Sequence, residues 1–155
     1  MKFTCRVTIN APLDKVVELF HNKEKLKEWQ EGFESITHLS GSEGTVGAKS
    51  KIIYRRGKHA IELTETILAS NLPYEITGLY EHIHMSNTMR NNFSAINNGQ
   101  TLWESHIEYA KFKKFMPNIM AWLMPGMFKR QTQKWLDNFK VFAEKEINSA
   151  SGTAK

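Results

Sequence analysis

The order in which hydrophobic periodicities follow one another constrains this chain most strongly. The first eight residues after Met1 alternate between polar and apolar side chains, as in a strand with one buried face; the apolar ones are Phe3, Cys5, Val7 and Ile9. A helical stripe follows, formed by Leu13, Val16, Val17 and Phe20. Strand-like alternation then continues from residue 33 to about residue 109, and helical spacing returns towards the C terminus.

Turn signals divide the middle of the chain into strands. We predict strands over 33–39, 48–55, 59–69, 74–84, 88–96 and 101–112. Arg56-Gly57-Lys58, Asn71-Leu72-Pro73 and Asn97-Asn98-Gly99 mark turns, because Asn and Gly tolerate the positive φ of tight hairpins. A second short helix is predicted over 23–29, where Leu26 and Trp29 come together.

The C-terminal region is predicted to be helical from Pro117, with a kink or break at Pro125-Gly126, since proline removes a backbone donor. Beyond the break, one apolar stripe contains Phe128, Trp135, Phe139, Phe142 and Ala143. Strands bracketed by helices predict an α+β fold with an antiparallel sheet covered on one face.

A length of 155 residues fits a single domain, which we place at 1–148, followed by a flexible polar tail at 149–155. With 41% hydrophobic and 24% charged residues, the chain is neither disordered nor a disulfide scaffold. Its one cysteine, Cys5, excludes an intramolecular disulfide. The N terminus lacks the apolar segment of a signal peptide, and we expect a cytoplasmic protein.

The net charge of +5 comes from small basic clusters with interspersed acidic residues. We interpret these clusters as a solvated surface and predict no nucleic-acid partner; weak contact with an anionic membrane surface stays open. The oligomeric state cannot be read from the sequence.

Several short motifs, in this order, resemble the START-like/Bet v 1-like (SRPBCC) superfamily, whose bacterial members include polyketide cyclase/dehydrase and lipid transport proteins. They are Ile9-Asn10-Ala11-Pro12 before the first helix, Leu26-Lys27-Glu28-Trp29, Gly44-Thr45-Val46-Gly47, and Leu63-Thr64-Glu65-Thr66-Ile67 followed by Asn71-Leu72-Pro73. The resemblance covers residues 2–146. It implies a helix-grip fold: a curved antiparallel sheet of about seven strands wrapped around a long C-terminal helix, with two short helices after the first strand and a cavity between.

Glu65 is the most informative polar residue, because it lies on the otherwise apolar face formed by Ile61, Leu63 and Ile67. A carboxylate on such a face loses hydration unless it finds a partner. It is a polar group of a cavity, a residue turned outward by a strand irregularity, or a carboxylate paired with an internal basic or hydroxyl group. Tyr80 and His82 on another strand are candidate companions.

Met116, Met120 and Met124 recur at a spacing of four residues, on one face of the predicted helix. Methionine suits adaptable apolar pockets, but also ordinary core packing. We predict a ligand cavity between the sheet and this segment, with a wall formed by Tyr54, Glu65, Tyr80, Asn91, Trp103, Met120, Met124 and Met127. Tyr54 belongs to a strand that is apolar on both faces, so the alternation of polar and apolar residues does not assign its side chain to either face.

The sequence contains no convincing catalytic set, and we predict no cofactor. His82, His84 and His106 would be a zinc site only if their strands met, and we favour surface histidines. We therefore expect a non-catalytic protein that binds or transports a hydrophobic small molecule or lipid. The alternatives are an enzyme of the cyclase or dehydratase type, using Glu65, Tyr80 or His82, and a protein-interaction or stress-response module.

Overall fold

A computed structural model describes residues 1–112 and 125–152. The strands in this part of the chain are β1 Lys2–Ile9, β2 Phe33–Ser40, β3 Lys49–Arg56, β4 His59–Asn71, β5 Glu75–Glu81, β6 Met85–Asn97 and β7 Gln100–Phe112. The helices are α1 Leu13–His21, α2 Leu26–Trp29 and α3 Pro125–Gly152, and a 3₁₀ turn, Lys23–Lys25, joins α1 to α2. No helix among these residues combines the length and apolar character needed to cross a bilayer.

All seven strands belong to one antiparallel sheet in the order β1-β7-β6-β5-β4-β3-β2. Consecutive strands from β2 to β7 form a meander. The first strand joins it at the far end, where Phe3 lies opposite Ile107 and Val7 opposite Trp103. The first and the last strand in sequence, β1 and β7, are therefore neighbours in the sheet. The edge strands are β1 and β2.

The helices cover one face of the sheet, which we call the inner face. Phe139 of α3 is fully buried, and its ring centroid lies 5.2 Å from that of Trp103 on β7 and 5.1 Å from that of Trp29 in α2. Phe20 of α1 packs edge-on against Phe93 of β6, with centroids 5.0 Å apart. This aromatic cluster joins the sheet to all three helices, and the arrangement confirms the predicted α+β helix-grip fold.

Bulges interrupt the ladders at a few positions. In β4 the register with β5 shifts between Ile67 and Ala69, and in β6 the register with β7 shifts between Ser86 and Asn87. An extra residue in one strand bends it and increases its twist, which helps a sheet to curve. Because the shift in β4 comes after Ile67, it leaves the alternation of Leu63, Glu65 and Ile67 intact.

The structure differs from the sequence prediction at several element ends: β4 continues to Asn71 where we predict an end at 69, and β6 begins at Met85 where we predict 88. β5 ends at Glu81, and His82 and Met85 close a turn in which the N–H of His82 donates to the carbonyl of Met85 over 2.8 Å. At the C terminus α3 continues to Gly152, so residues 149–152 of the predicted tail are helical. The predicted break at Pro125-Gly126 concerns the residues before Pro125, which lie outside the described part.

Candidate functional site

A line of polar side chains crosses the inner face of the sheet, one on each of five adjacent strands. Ser50 of β3 lies opposite Glu65 of β4, Glu65 opposite Tyr80 of β5, Tyr80 opposite Asn87 of β6, and Asn87 opposite Tyr109 of β7. We call these five residues the polar row. An antiparallel sheet aligns such residues because opposed positions point to the same face.

Tyr80 and Glu65 are joined within the polar row. The hydroxyl of Tyr80 donates to Oε1 of Glu65 over 2.8 Å. The tyrosine ring leans along its own strand over Gly78: a Cβ atom at position 78 would come within 2.9 Å of Cε2 and 3.0 Å of Oη. Glycine at position 78 therefore leaves the room in which the Tyr80 ring reaches Glu65.

The surroundings keep both tyrosines of the site protonated. Loss of water around the phenol, followed by the nearby charge of Glu65 and the hydrogen bond to it, raises the pKa of Tyr80 well above its usual value. Burial, with a smaller contribution from the charge of Glu65, also raises the pKa of Tyr54. Both phenols therefore act as hydrogen-bonding groups near neutral pH and not as phenolates.

A cavity of about 110 Å³ lies between this part of the inner face and the short helices. Its apolar walls come from β2 to β5 and from α1 and α2; among them are Phe20, Leu26, Trp29, Ile36, Ile52, Ile67 and Ile76. Ser50, Glu65 and Tyr80 are the members of the polar row that line it. The cavity is thus an apolar space with a polar strip along the sheet.

Tyr54 closes one side of the cavity. Its hydroxyl donates to Oε1 of Gln30 over 2.6 Å, and its ring stacks on Trp135 of α3 with centroids 5.3 Å apart. The contacts link β3, the end of α2 and the long helix around a single aromatic ring. Tyr54 therefore has a fixed orientation, because its hydroxyl group is hydrogen-bonded and its ring is stacked on a neighbouring ring.

Exposed residues that line the cavity, among them His21 and Glu43, lie at the end of α1 and in the loop that joins β2 to β3, and we take this side as its mouth. Nζ of Lys23 lies 2.7 Å from Oε1 of Glu43 across this mouth, and the ion pair lowers the pKa of the exposed Glu43 carboxyl. Gly44, with a φ of +76°, turns the loop towards His21. Positive φ favours glycine, which explains the residue type at this turn.

The structure places the eight predicted wall residues differently. Tyr54, Glu65, Tyr80 and Asn91 line the cavity. Trp103 is not part of the cavity wall that the described residues form. Its ring lies in the core, enclosed by Phe93, Phe139 and Phe20. Met127 is half-buried in the first turn of α3 and does not line the cavity either. Met120 and Met124 lie outside the described residues.

The described wall opposite the sheet consists of α1 and α2, where we had expected the C-terminal helix. One feature of the sequence does point to this wall. Trp29 and Gln30 come directly before β2, so they lie beside the strand that carries Ile36 and His38, and all four line the cavity. Ser50 was also missed, although a serine between apolar inner-face positions of β3 is the same kind of signal as Glu65.

The histidines considered for a metal site lie apart. The rings of His82 and His84 pack edge-on in the β5–β6 turn with centroids 5.3 Å apart, and burial lowers the pKa of His82. His106 is hydrogen-bonded to the hydroxyl of Thr4 through Nδ1, 3.0 Å away, on the outer face of the sheet. Within residues 1–112 and 125–152, no three histidine, cysteine or acidic side chains come close enough to hold a metal ion.

No protein-family model matches the chain, and no curated protein sequence matches it significantly. Solved structures with the same fold do match. The Zhui aromatase/cyclase of a Streptomyces species superposes with a TM-score of 0.76 at 12% identity, covering 97% of this chain and 97% of its own.

Two further structures match over similar lengths. A START superfamily protein of Mycobacterium smegmatis has a TM-score of 0.69 at 11% identity, over 96% of this chain and 98% of its own. A norcoclaurine synthase of Thalictrum flavum, in complex with a transition-state analogue, has a TM-score of 0.68 at 11% identity, over 94% and 95%. At these identities the likeness establishes the START-like/Bet v 1-like fold that the motifs suggested, and it transfers no residue role.

Proposed function

We propose that this chain binds a hydrophobic small molecule or lipid with one polar end in the cavity between β2–β5 and the short helices. The observation that carries the proposal is the Tyr80–Glu65 hydrogen bond inside a mainly apolar cavity. Apolar walls favour an apolar ligand by about 25 cal/mol for each Å² removed from water. A single polar pair then determines which end of the ligand enters first.

Glu65 is suited to hold a ligand hydroxyl. Its Oε1 accepts from Tyr80, and no described residue donates a hydrogen bond to Oε2. A hydroxyl group reaching the floor of the cavity would find a carboxylate oxygen whose position is already fixed by the tyrosine. A hydrogen bond to a charged acceptor contributes about 1.5–3 kcal/mol net.

The size of the cavity restricts how a ligand sits in it. About 110 Å³ is less than the roughly 150 Å³ that holds a benzene ring in an engineered apolar cavity. A larger ligand would therefore place its polar end at the floor and its apolar body towards the mouth, against Phe20 and Leu26. The Lys23–Glu43 pair at the mouth is half-exposed, and such pairs separate readily.

The second candidate function is an enzyme of the cyclase or dehydratase type. The observation in its favour is that several polar groups, Tyr54, Glu65 and Tyr80, converge on one cavity. Against it, the pKa values of both phenols are raised away from neutrality, whereas an efficient acid or base titrates near the working pH. A protein-interaction module needs no internal cavity, and we place it third.

The proposal is tested by native mass spectrometry of protein purified from its own host. Ile67 lines the cavity, whereas Leu68, the next residue of β4, is 44% exposed and does not line it, so Ile67→Trp fills the cavity and Leu68→Trp is its matched control. We expect a bound small molecule in the wild type and in Leu68→Trp, and its loss in Ile67→Trp. The same bound mass in all three proteins would place the binding site elsewhere.

A further inference from the structure

Asn91 of β6 lines the cavity beside Tyr80 and is only 3% exposed. The indole Nε1–H of Trp103 donates to its Oδ1 over 3.0 Å. Because an indole nitrogen can only donate, this bond determines which arm of the amide is the oxygen. The amide nitrogen, Nδ2, is thereby left on the other arm, and it brings two N–H donors to the cavity wall.

No acceptor among the described residues takes these donors. Ser105 lies directly opposite Asn91 in the sheet, yet its Oγ is buried without a hydrogen-bond partner, so the two side chains are not bonded to each other. Nδ2 is not among the side-chain atoms that are fully buried without a partner, so part of its surface stays accessible, and a donor there pairs with water or with a ligand group that has a lone pair. No described side chain accepts a hydrogen bond from Nδ2 of Asn91. We therefore look for its acceptor in a ligand bound in the cavity.

The position of Asn91 relative to Tyr80 indicates the spacing of the ligand's polar atoms. The tyrosine hydroxyl lies over Gly78, which is opposite Met89, and Asn91 is two residues further along β6. Diagonal neighbours of this kind are about 7–8 Å apart at their backbones, and both side chains lean over the same space. Two polar atoms separated by a few bonds can therefore reach both groups.

We propose that Asn91 binds a carbonyl oxygen of the ligand through Nδ2, while the Tyr80–Glu65 pair binds a hydroxyl group. The ligand class that this arrangement selects is an apolar hydroxy-carbonyl compound. The inference rests on the proposed function, since it concerns the same cavity, and it adds a group that discriminates between ligands. Trp103, whose ring belongs to the core, acts on the ligand only by fixing the orientation of the amide.

Three small probes of nearly the same size separate the two kinds of contact: acetophenone has a carbonyl group, 1-phenylethanol a hydroxyl group, and ethylbenzene neither. The variant is Asn91→Asp, which keeps an oxygen for Trp103 and replaces the donor with an acceptor. Asn92→Asp is the matched control, because residue 92 is the next in β6 and faces the other side of the sheet. Dissociation constants are measured at about pH 8 by following tryptophan fluorescence.

In the wild type and in Asn92→Asp we expect acetophenone to bind about three- to tenfold more tightly than ethylbenzene, the range for one net hydrogen bond. In Asn91→Asp that preference should disappear, while the affinity for 1-phenylethanol changes by no more than about twofold. If all three probes bind and Asn91→Asp keeps the preference for the ketone, the role of Asn91 is overturned and the proposed function stands. If no probe binds, both fail.

A second measurement does not depend on the variant's folding. In ¹⁵N-labelled wild-type protein, the side-chain N–H₂ signals of Asn91 should separate and shift when acetophenone is added, and should not do so with ethylbenzene. Equal responses to both probes would overturn the assignment of Nδ2 as the carbonyl donor.

Discussion

Glu65 lies where the hydrophobic pattern of β4 calls for an apolar residue, and its environment explains how a carboxylate is accommodated there. The side chain is half-buried, shares the inner face with Ile67, and accepts a hydrogen bond from Tyr80. That single donor leaves capacity for a second one, since an ionised carboxylate has about four acceptor positions. Glu65 is therefore suited to hold a ligand group and needs no proton transfer to do so.

Replacing Glu65 with glutamine should weaken binding without abolishing it. Glu65→Gln keeps the shape and an acceptor oxygen for Tyr80 but removes the charge, so the affinity for 1-phenylethanol should fall by about tenfold at most. Glu62→Gln, on the same strand and facing outward, should leave the affinity unchanged. Turnover of any cyclisable or dehydratable substrate that Glu65→Gln abolishes would favour the enzyme over the carrier.

Among the helices, α3 contributes most residues to the core. One face of α3 is buried against the sheet, and the opposite face is exposed. Phe139 is fully buried among Trp29, Trp103 and Phe20, whereas Val141, two residues later, is 69% exposed. Trp135, which belongs to the same predicted stripe, is only partly buried and stacks on Tyr54. The residue of the stripe that supports the sheet most directly is therefore Phe139.

The stability of two α3 variants should reflect this difference. Phe139→Ala removes a ring from the centre of the aromatic cluster and should lower the free energy of unfolding by about 3–5 kcal/mol. Val141→Ala on the exposed face should change it by less than about 0.5 kcal/mol. Urea titrations of both variants and the wild type measure the difference, and a loss below about 1 kcal/mol for Phe139→Ala would contradict the described packing.

How far the sequence predicts this structure differs from element to element. Local alternation predicts β1 and the inner face of β4, because in these strands the polarity of each side chain indicates which face it lies on. The same rule extends β5 too far, since Tyr80, His82 and His84 continue the alternation while the backbone already turns at His82. Local patterns do not encode which elements meet, so they do not predict α1 and α2 as walls of the cavity; only the position of α2 shortly before β2 points to its contact.

At the scale of the whole molecule, three of the four tyrosines share one electrostatic property. Burial raises the pKa values of Tyr54, Tyr80 and Tyr109 above their ordinary value of 10. Two of the three belong to the polar row, and Tyr54 lines the cavity next to it. The fold therefore holds these phenols neutral at a pH where an unfolded chain would release their protons.

This difference predicts alkaline unfolding. Because the folded pKa values lie above those of the unfolded chain, the stability they contribute is complete below about pH 10 and is lost as the pH rises towards the folded values. At about pH 11 the three phenols should give no phenolate absorbance while the chain is folded, and the absorbance should appear together with the loss of circular dichroism. Phenolate from these residues in the folded chain would contradict their burial. Tyr80→Phe should make stability less dependent on pH in this range.

The central claim is that the cavity at the Tyr80–Glu65 pair is the ligand site of this helix-grip fold. A crystal structure of the protein grown with 1-phenylethanol tests it most directly. We predict electron density for the ligand in the cavity, with its hydroxyl group within hydrogen-bonding distance of Glu65 and its ring towards Phe20 and Leu26. Ligand density on the outer face of the sheet near Arg90, with the cavity walls unchanged and closed on themselves, would contradict the claim.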